Sequence, residues 1–235
     1  MNIFESLGRQ FHNTLIADNR WMLLVDGLKT TLIIAFFACL IGVALGTLVA
    51  IVKVCSAMNP KSKLWKVLNA ICNIYIGIIR GTPVVVQLMI MYFVIFVSVT
   101  NGTIVAIISF GINSGAYVAE IMRAGIMAVD KGQTEAGRSL GLSGAQTMQK
   151  IVLPQAIKNI LPALANEFIT LLKETSIAGY IAIQDLTKAG DRIRYATYDA
   201  FMPLIVVAAI YLVLVLGLTA LVGKLEKKLA KSDGR

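Results

Sequence analysis

The sequence has few of the residues that bind metals or form disulfides. It contains 3 cysteines and 1 histidine in 235 residues. Cys39, Cys55 and Cys72 are sixteen and seventeen residues apart, which fits neither a zinc-ligand spacing nor a disulfide framework. His12 has no cysteine or histidine neighbour at ligand spacing. We therefore expect packing cysteines, a surface histidine, no metal and no cofactor.

Charged side chains are also scarce. They make up 15% of the chain against 57% hydrophobic residues, and the mean hydropathy is +0.76. This composition lies far from that of soluble domains and is typical of helical membrane proteins. The net charge of +9 does not indicate nucleic-acid binding, because the basic residues gather at the ends of apolar runs, where anionic membrane lipid attracts them.

Five apolar stretches are each long enough to cross about 30 Å of hydrocarbon as a helix. They cover residues 21–52, 67–99, 103–129, 157–183 and 201–223. The predicted fold class is therefore all-α, a polytopic membrane protein with five transmembrane helices in a single domain over residues 1–235.

Lysine and arginine in the short loops predict the orientation. With the N-terminus outside, thirteen of them fall at inner ends of spans and six at outer ends, the six being Arg9, Arg20, Lys29, Lys188, Arg192 and Arg194. This bias favours an N-out, C-in arrangement. The alternative is that residues 80–83 separate two short crossings, which would reverse every later span and weaken the bias.

Both chain ends are predicted to lie outside the hydrocarbon. Residues 1–20 are not a signal peptide, because charged residues interrupt any apolar core. An amphipathic helix on the outer interface is indicated instead by apolar residues at helical spacing, namely Phe4, Leu7, Phe11 and Leu15. Residues 224–235 are read as the solvated, cytoplasmic end of the last helix.

The second apolar stretch is interrupted by the sequence RGTP. Gly81 breaks the helix, Thr82 can cap a new one, and Pro83 suits the first helical position. A helix that restarts within the membrane presents unpaired N–H groups, which in transporters often face an anionic group. The alternative is a kinked helix in which Arg80 snorkels to the interface.

Polar residues form faces on the third and fourth stretches. One face carries Asn113, Tyr117 and Glu120, and the other carries Glu167, Thr170 and Glu174, flanked by Asn166 and Lys173. An ionised residue in mid-membrane costs about 2.5 to 3.5 kcal/mol on insertion scales, so these faces should meet each other or a wet cavity.

Individual charges on these faces have different predicted roles. Glu120 and Arg123 are expected to neutralise each other at i,i+3 spacing, and Lys173 and Glu174 are read as structural. Glu167 lacks a partner on its own helix, so it is the preferred candidate for binding a cationic group.

Pairs of glycines four residues apart predict close helix packing, at Gly42 and Gly46, Gly77 and Gly81, and Gly111 and Gly115.

The segment 134–154 is too polar and too short to cross a membrane. Thr134 can cap a short helix that starts with Glu135 and ends at Gly141. Ser143 with Gln146 forms a capping-box pattern that starts a second helix ahead of Pro154. The segment is therefore predicted to be a helix–turn–helix on the cytoplasmic face.

This segment also resembles a known motif. It is similar to the EAA loop of bacterial ABC importer permeases, because EAGRSLG is followed, nine residues later, by IVLP. The matching residues are Glu135, Ala136, Gly141, Ile151, Leu153 and Pro154. The strings RGTPVVVQL, GAYVAEIMRAGI, KGQTEAGRSLGL and NEFITLLKETS resemble the polar amino acid branch of these permeases. Gly137 departs from the motif, which has alanine there, and should loosen the first helix by about 1 kcal/mol.

The resemblance implies a type I ABC importer fold with a coupling helix. It assigns the coupling role to the six matching residues and to Leu142. It implies three kinds of protein partner: a separate ATP-binding subunit, a second permease copy and an extracytoplasmic binding protein in a bacterial cell membrane. The chain itself is expected not to be an enzyme, because its nearest approach to a nucleotide-binding loop, residues 217–224, has the wrong spacing.

A polar, cationic amino acid such as arginine, lysine or histidine is the expected substrate. The candidate substrate-binding residues are Thr82, Gln87, Asn113, Tyr117, Asn166, Glu167 and Thr170, and the candidate gating or structural charges are Arg80, Glu120, Arg123, Lys173 and Glu174. The open alternatives are an importer of glutamine or another neutral polar amino acid, a stand-alone secondary transporter or channel, and a membrane scaffold.

Overall fold

The computed structural model describes residues 3–231, except for the side chains of residues 3, 4, 6, 230 and 231. The expectation for Phe4 and that for residues 232–235 of the tail fall outside this description. The α-helices in the described part are α1 Ile3–Phe11, α2 Trp21–Met58, α3 Lys63–Gly81, α4 Val84–Ile90, α5 Gly102–Met127, α6 Lys131–Ser139, α7 Gly144–Thr147, α8 Leu153–Glu174, α9 Leu186–Thr197 and α10 Phe201–Lys231.

Shorter helical pieces extend several of these helices. Residues His12–Ile16, Met91–Ile95 and Met148–Val152 form π-helical turns, and Ala17–Asn19 and Thr175–Ile181 form 3₁₀ helices. Over residues 3–231 the chain contains no strand, so the predicted all-α class is confirmed.

Three helices in the described part are long and apolar enough to cross a membrane: Trp21–Met58, Gly102–Met127 and Phe201–Leu229. The pair Lys63–Gly81 and Val84–Ile95 is a fourth crossing if it is one span, and it is bent by 108°. The fourth predicted stretch coincides with α8 and the following 3₁₀ helix. Because α8 contains charged residues, among them Glu167 and Lys173, it is not among the helices apolar enough to be counted as a span. The chain is a multi-pass membrane protein, and the count of five and its orientation stay predictions.

The most extensive helix contact in the described bundle joins α2 to α5, and small residues allow it. A Cβ atom added at Gly46 would lie 2.5 Å from Val118 Cγ1, and one added at Gly111 would lie 2.7 Å from Ile41 Cβ. Because such distances are shorter than atoms tolerate, only glycine allows the two backbones to come this close. By contrast, a Cβ added at Gly77 or Gly81 would have no atom within 4 Å. The glycine-pair prediction therefore describes α2 and α5 but not α3.

Helix α9 was not predicted. Asp185 caps its start, because its carboxylate accepts hydrogen bonds from the N–H groups of Thr187 and Lys188 at 3.1 and 3.0 Å. Leu186 and Ile193 then face Leu24 of α2 and Val207 of α10 in one buried cluster. The capping aspartate and the apolar i, i+3, i+7 spacing were visible in the sequence.

The segment 131–152 is a hairpin of two short helices with strong local signals. Helix α6 begins three residues before the predicted cap, because Asp130 rather than Thr134 accepts the N-terminal hydrogen bond, from the N–H of Gly132. It ends as predicted at Gly141, whose φ is 83°. The N–H groups of Gly141 and Leu142 bond back to Arg138 and Gly137, which is a Schellman motif. The predicted capping box of Ser143 and Gln146 is present.

The second helix of the hairpin does not stop at Pro154. It runs through the π turn Met148–Val152 into α8, so the chain is helical from Gly144 to Glu174. The widened turn, closed by the bond from Leu153 N–H to the Met148 carbonyl, comes immediately before the proline. Proline is tolerated in the first turn of a helix, where its missing N–H matters least.

Substitution of Gly46 tests the packing of α2 against α5. Gly46→Ala should lower the free energy of unfolding by about 1 to 3 kcal/mol, because the methyl group would overlap Val118 and the Gly115 carbonyl. Gly77→Ala is the matched control and should be neutral or stabilising, since it gains up to about 1 kcal/mol of helix propensity in open space. The measurement is the unfolding midpoint of the purified protein in detergent, and equal midpoints would contradict the packing.

Substitution of Gly137 tests the packing within the hairpin. A Cβ added there would lie 2.7 Å from Thr147 Cγ2 and 2.9 Å from Ile151 Cδ1. Gly137→Ala should therefore reduce hydrogen-exchange protection of residues 131–139, although alanine favours a helix by about 1 kcal/mol. Adding Thr147→Ser removes the clashing methyl, keeps the hydroxyl bonded to the Ser143 carbonyl, and should restore protection. Increased hydrogen-exchange protection in the single variant Gly137→Ala would show that Thr147 and Ile151 leave room for a methyl group at position 137.

Candidate functional site

The break between α3 and α4 is bridged by the side chain of Gln87. Its Nε2 donates hydrogen bonds to the Ile79 carbonyl at 2.7 Å and to Thr82 Oγ1 at 2.7 Å. Its Oε1 accepts a hydrogen bond from Asn113 Nδ2 of α5 at 2.9 Å. Three predicted substrate-binding residues, Thr82, Gln87 and Asn113, are thus joined in one network at the bend.

The prediction that Thr82 caps the new helix was wrong. Pro83, not Thr82, is the residue preceding α4, and both have extended backbones. The Thr82 hydroxyl instead donates to the Ile78 carbonyl at 2.8 Å, in the last turn of α3. The reason is the 108° bend, which leaves Thr82 at the C-terminal end of α3. The side chain that bridges α3 and α4 is therefore that of Gln87, which donates to Thr82 Oγ1. The first N–H groups of α4 still have no partner within that helix.

Glu167 meets α5 through a residue that the sequence analysis missed. Ser114 Oγ donates a hydrogen bond to Glu167 Oε1 at 2.8 Å, and Ser114 is buried at 1% exposure. A Cβ added at Gly42 of α2 would lie 2.8 Å from Ser114 Oγ. Glu167 therefore lies where α2, α5 and α8 meet, half-buried, with a second carboxylate oxygen to bind another donor. The signal was a small polar residue next to Asn113.

The two predicted polar faces do not meet as whole faces. The hydrogen bond between α5 and α8 comes from Ser114, one position away from the face of Asn113, Tyr117 and Glu120. Asn166, Thr170 and Lys173 are exposed on the other sides of α8, and Glu174 is half-buried. Tyr117 lies 37% exposed beneath the guanidinium of Arg80, which is 5.3 Å from the centre of its ring.

Glu120 is the centre of a charge cluster. The predicted pair with Arg123 is present, because Arg123 Nε and Nη2 donate to Glu120 Oε2 at 3.0 and 2.9 Å. Arg80 of α3 lies 3.8 Å from the same carboxylate, and Lys53 of α2 lies 3.9 Å from its other oxygen. Lys53 was not predicted to take part, because its partner is 67 positions away in the sequence.

The hairpin presents an exposed apolar surface at its turn. Leu140 is 81% exposed, and Glu135, Ala136 and Gly141 are also exposed. The remaining residues of the motif lie along the second helix, where Ile151 is half-buried, Leu153 is 38% exposed and Pro154 is exposed. Leu142 is half-buried next to the turn. Leu140 therefore stands on a turn whose backbone conformation is fixed by the Schellman motif on one side and the capping box on the other.

Comparison with solved structures supports one architecture. The chain superimposes on a crystal structure titled as an amino acid ABC transporter with histidines, with a TM-score of 0.81 and 39% identity, over 97% of this chain and 99% of the other. It also superimposes on the MetNI methionine ABC transporter in an inward-facing form, with a TM-score of 0.75 over 91% of this chain and 99% of the other. At 22% identity the second match shows the fold alone. The type I ABC importer fold is confirmed.

Sequence comparison agrees with the fold. The arginine transport system permease protein ArtQ of Bacillus subtilis is 40% identical over 89% of this chain and 94% of its own length. The putative glutamine transport system permease protein GlnP of Rickettsia typhi is 38% identical over 88% and 93%, respectively. The model of the binding-protein-dependent transport system inner membrane component matches residues 42–231. The chain therefore belongs to this family of inner membrane transport components.

Proposed function

We propose that the chain is the permease subunit of an ATP-driven importer of polar amino acids in a bacterial cell membrane. A second permease copy, two ATP-binding subunits and an extracytoplasmic binding protein complete the transporter. The observation that carries the proposal is the hairpin 131–152, in which both helix starts are capped and the turn residues Leu140 and Gly141 are exposed. Relatives named arginine and glutamine permeases support the substrate class.

The geometry of the hairpin suits a mechanical connection. Leu140 offers an exposed apolar anchor, and the Schellman motif and the capping box fix the turn that holds it. The second helix of the hairpin continues without interruption into α8, which carries Glu167. Force applied at the turn by an ATP-binding subunit would thus act on the substrate-binding region through one continuous helix.

Within the bundle, Glu167 is the group best suited to a cationic side chain or amino group. It is half-buried, and its hydrogen bond from Ser114 occupies one of its two oxygens. A carboxylate in such a setting forms strong, charge-assisted hydrogen bonds. The substrate carboxylate would lie near the N–H groups at the start of α4 and near Thr82, and Asn113, Tyr117, Asn166 and Thr170 would surround the rest of the molecule.

A neutral substrate such as glutamine is the second candidate. The amides of Gln87 and Asn113 are joined at 2.9 Å beside the break, and amides are well suited to bind another amide, since each both donates and accepts. Import of glutamine would use this pair, whereas import of arginine or lysine would depend on the charge of Glu167. A stand-alone transporter would leave the hairpin without a role.

Substitution of Glu167 separates the two substrate classes. In vesicles containing the complete transporter, Glu167→Gln should lower arginine- and lysine-stimulated ATP hydrolysis about tenfold or more, and glutamine-stimulated hydrolysis much less, because a charge-assisted hydrogen bond is worth about 1.5 to 3 kcal/mol. Glu174→Gln, the same change two turns along α8, should affect all three substrates equally. An equal loss for all three in Glu167→Gln would remove Glu167 from recognition.

Substitutions at the turn test the docking role. Gly141→Asp introduces a side chain where φ is 83°, and Leu140→Asn removes the apolar anchor without disturbing the bundle. Each should release the ATP-binding subunit or abolish stimulated hydrolysis, while the unfolding midpoint of the permease changes little. Lys61→Ala, in the exposed loop between α2 and α3, is the control. Normal complex formation and transport in both turn variants would refute the proposed docking surface.

A further inference from the structure

A cavity of about 400 Å³ opens at the end of the bundle that faces the hairpin. Its walls come from the C-terminal part of α2, from α3 and α5, and from Met148 in the π turn of the hairpin. The cavity is separate from the bend at Thr82 and from Glu167. None of the proposed substrate-binding residues lines it, so it is distinct from the proposed substrate site.

The polar wall of this cavity carries an excess of positive charge. Lys53 and Arg123 line it together with the amides of Asn69 and Asn73. Both cations, and Arg80 beside the cavity, lie within 4 Å of the carboxylate of Glu120, so this cluster of four charged residues in the described part of the chain has a formal net charge of +2. The side chains of Lys53 and Arg123 are 17% and 42% exposed, so this positive charge is accessible and attracts an anion.

The donors in this wall are only partly used. Lys53, whose side chain is 17% exposed, donates one hydrogen bond to Asn73 Oδ1 at 2.7 Å, and an ammonium group has three donors. Arg123 Nη1 lies 2.8 Å from the Met127 sulfur, which is a weak acceptor. Both cations therefore have donors left for oxygen atoms with negative charge.

The rest of the lining is apolar. Ala50, Val54 and Ala57 lie on the same side of α2 as Lys53, and Ile126 lies one turn from Arg123 on α5. None of these four residues carries a hydrogen-bonding side chain. Cations next to apolar side chains, at the surface of a membrane bundle, match a ligand with a phosphate group and an acyl chain. Basic pockets between helices on the cytoplasmic side of membrane proteins bind anionic lipid headgroups in this way.

We propose that this cavity binds one anionic phospholipid, with its phosphodiester between Lys53 and Arg123 and an acyl chain along the α2 wall. The lipid would also contact Met148, and a Cβ added at Gly144 would lie 3.6 Å from Met58 Cε, so the hairpin packs directly on this wall. The lipid would thus brace the hairpin against α2. This consequence for coupling rests on the proposed function, whereas the binding itself does not.

Native mass spectrometry of the complete transporter tests the binding, after purification from vesicles with equal amounts of phosphatidylglycerol and phosphatidylcholine. The wild type should retain phosphatidylglycerol in preference. Lys53→Gln, which keeps a donor for Asn73, should lower that preference about fivefold, and Lys53→Arg should restore it. Lys63→Gln, an exposed lysine at the start of α3, is the matched control and should change nothing. An unchanged preference in Lys53→Gln, or an equal fall in Lys63→Gln, overturns the site.

A second variant separates the cavity from general surface charge. Ala57→Phe leaves every charge in place and fills the apolar part of the lining, so it should also lower retention of phosphatidylglycerol. Full retention in Ala57→Phe would overturn the cavity as the binding place. Inorganic phosphate distinguishes the anion source: added during purification, it should leave retention of phosphatidylglycerol unchanged, and displacement of the lipid by phosphate would overturn the lipid assignment. Because the lipid is proposed to brace the hairpin, substrate-stimulated ATP hydrolysis should be higher in vesicles with phosphatidylglycerol than in phosphatidylcholine alone. Equal hydrolysis in the two vesicles with normal lipid retention would contradict the coupling role, which rests on the proposed function, and not the binding site.

Discussion

The close contact between α2 and α5 determines where the polar residues of this bundle can lie. Within hydrocarbon the hydrophobic effect does not drive helices together, so van der Waals packing of small residues has to do so. Gly46 against Val118 and Gly111 against Ile41 bring the two backbones together. The same register sets Ser114 beside Glu167, directs Asn113 to Gln87, and brings Lys53 near Glu120. Each of these polar contacts uses a residue of α5, and α5 is held in place by α2.

The polar groups of the bundle fall into three separate places with different chemistry. The bend between α3 and α4 offers amides and free N–H groups, the junction of α2, α5 and α8 offers a carboxylate, and the end near the hairpin offers cations. In the proposed function, an amino acid would use the first two places, with its carboxylate at the N–H groups of the bend and its amino group at Glu167. The separation also explains why Glu120, although it is on the predicted polar face, is taken up by Arg123, Arg80 and Lys53.

Local signals in the sequence predicted most of the architecture. The apolar runs gave the long helices, Gly141 and the Ser143–Gln146 box gave the hairpin turn, and RGTP gave the break. Two errors came where a nearby residue competed for the same role, as Asp130 did with Thr134 and Pro83 with Thr82, and a third was the missed helix α9, whose cap Asp185 was visible in the sequence. Contacts between distant segments, such as Ser114 with Glu167 and Lys53 with Glu120, could not be predicted, because they depend on helix register and rotation, which no local pattern fixes.

The chain is helical from Gly144 to Glu174, through the π turn Met148–Val152 and past Pro162, so this stretch can act as a lever. Glu167 lies about 35 Å along this helix from Gly144 at 1.5 Å per residue. A tilt of about 5° about the hairpin end would therefore displace the carboxylate by about 3 Å, roughly the length of one hydrogen bond. Such a displacement is enough to exchange one donor to Glu167 for another. In the proposed transporter, a small rotation of the hairpin by the ATP-binding subunit would thus change how Glu167 binds the substrate without any local unfolding.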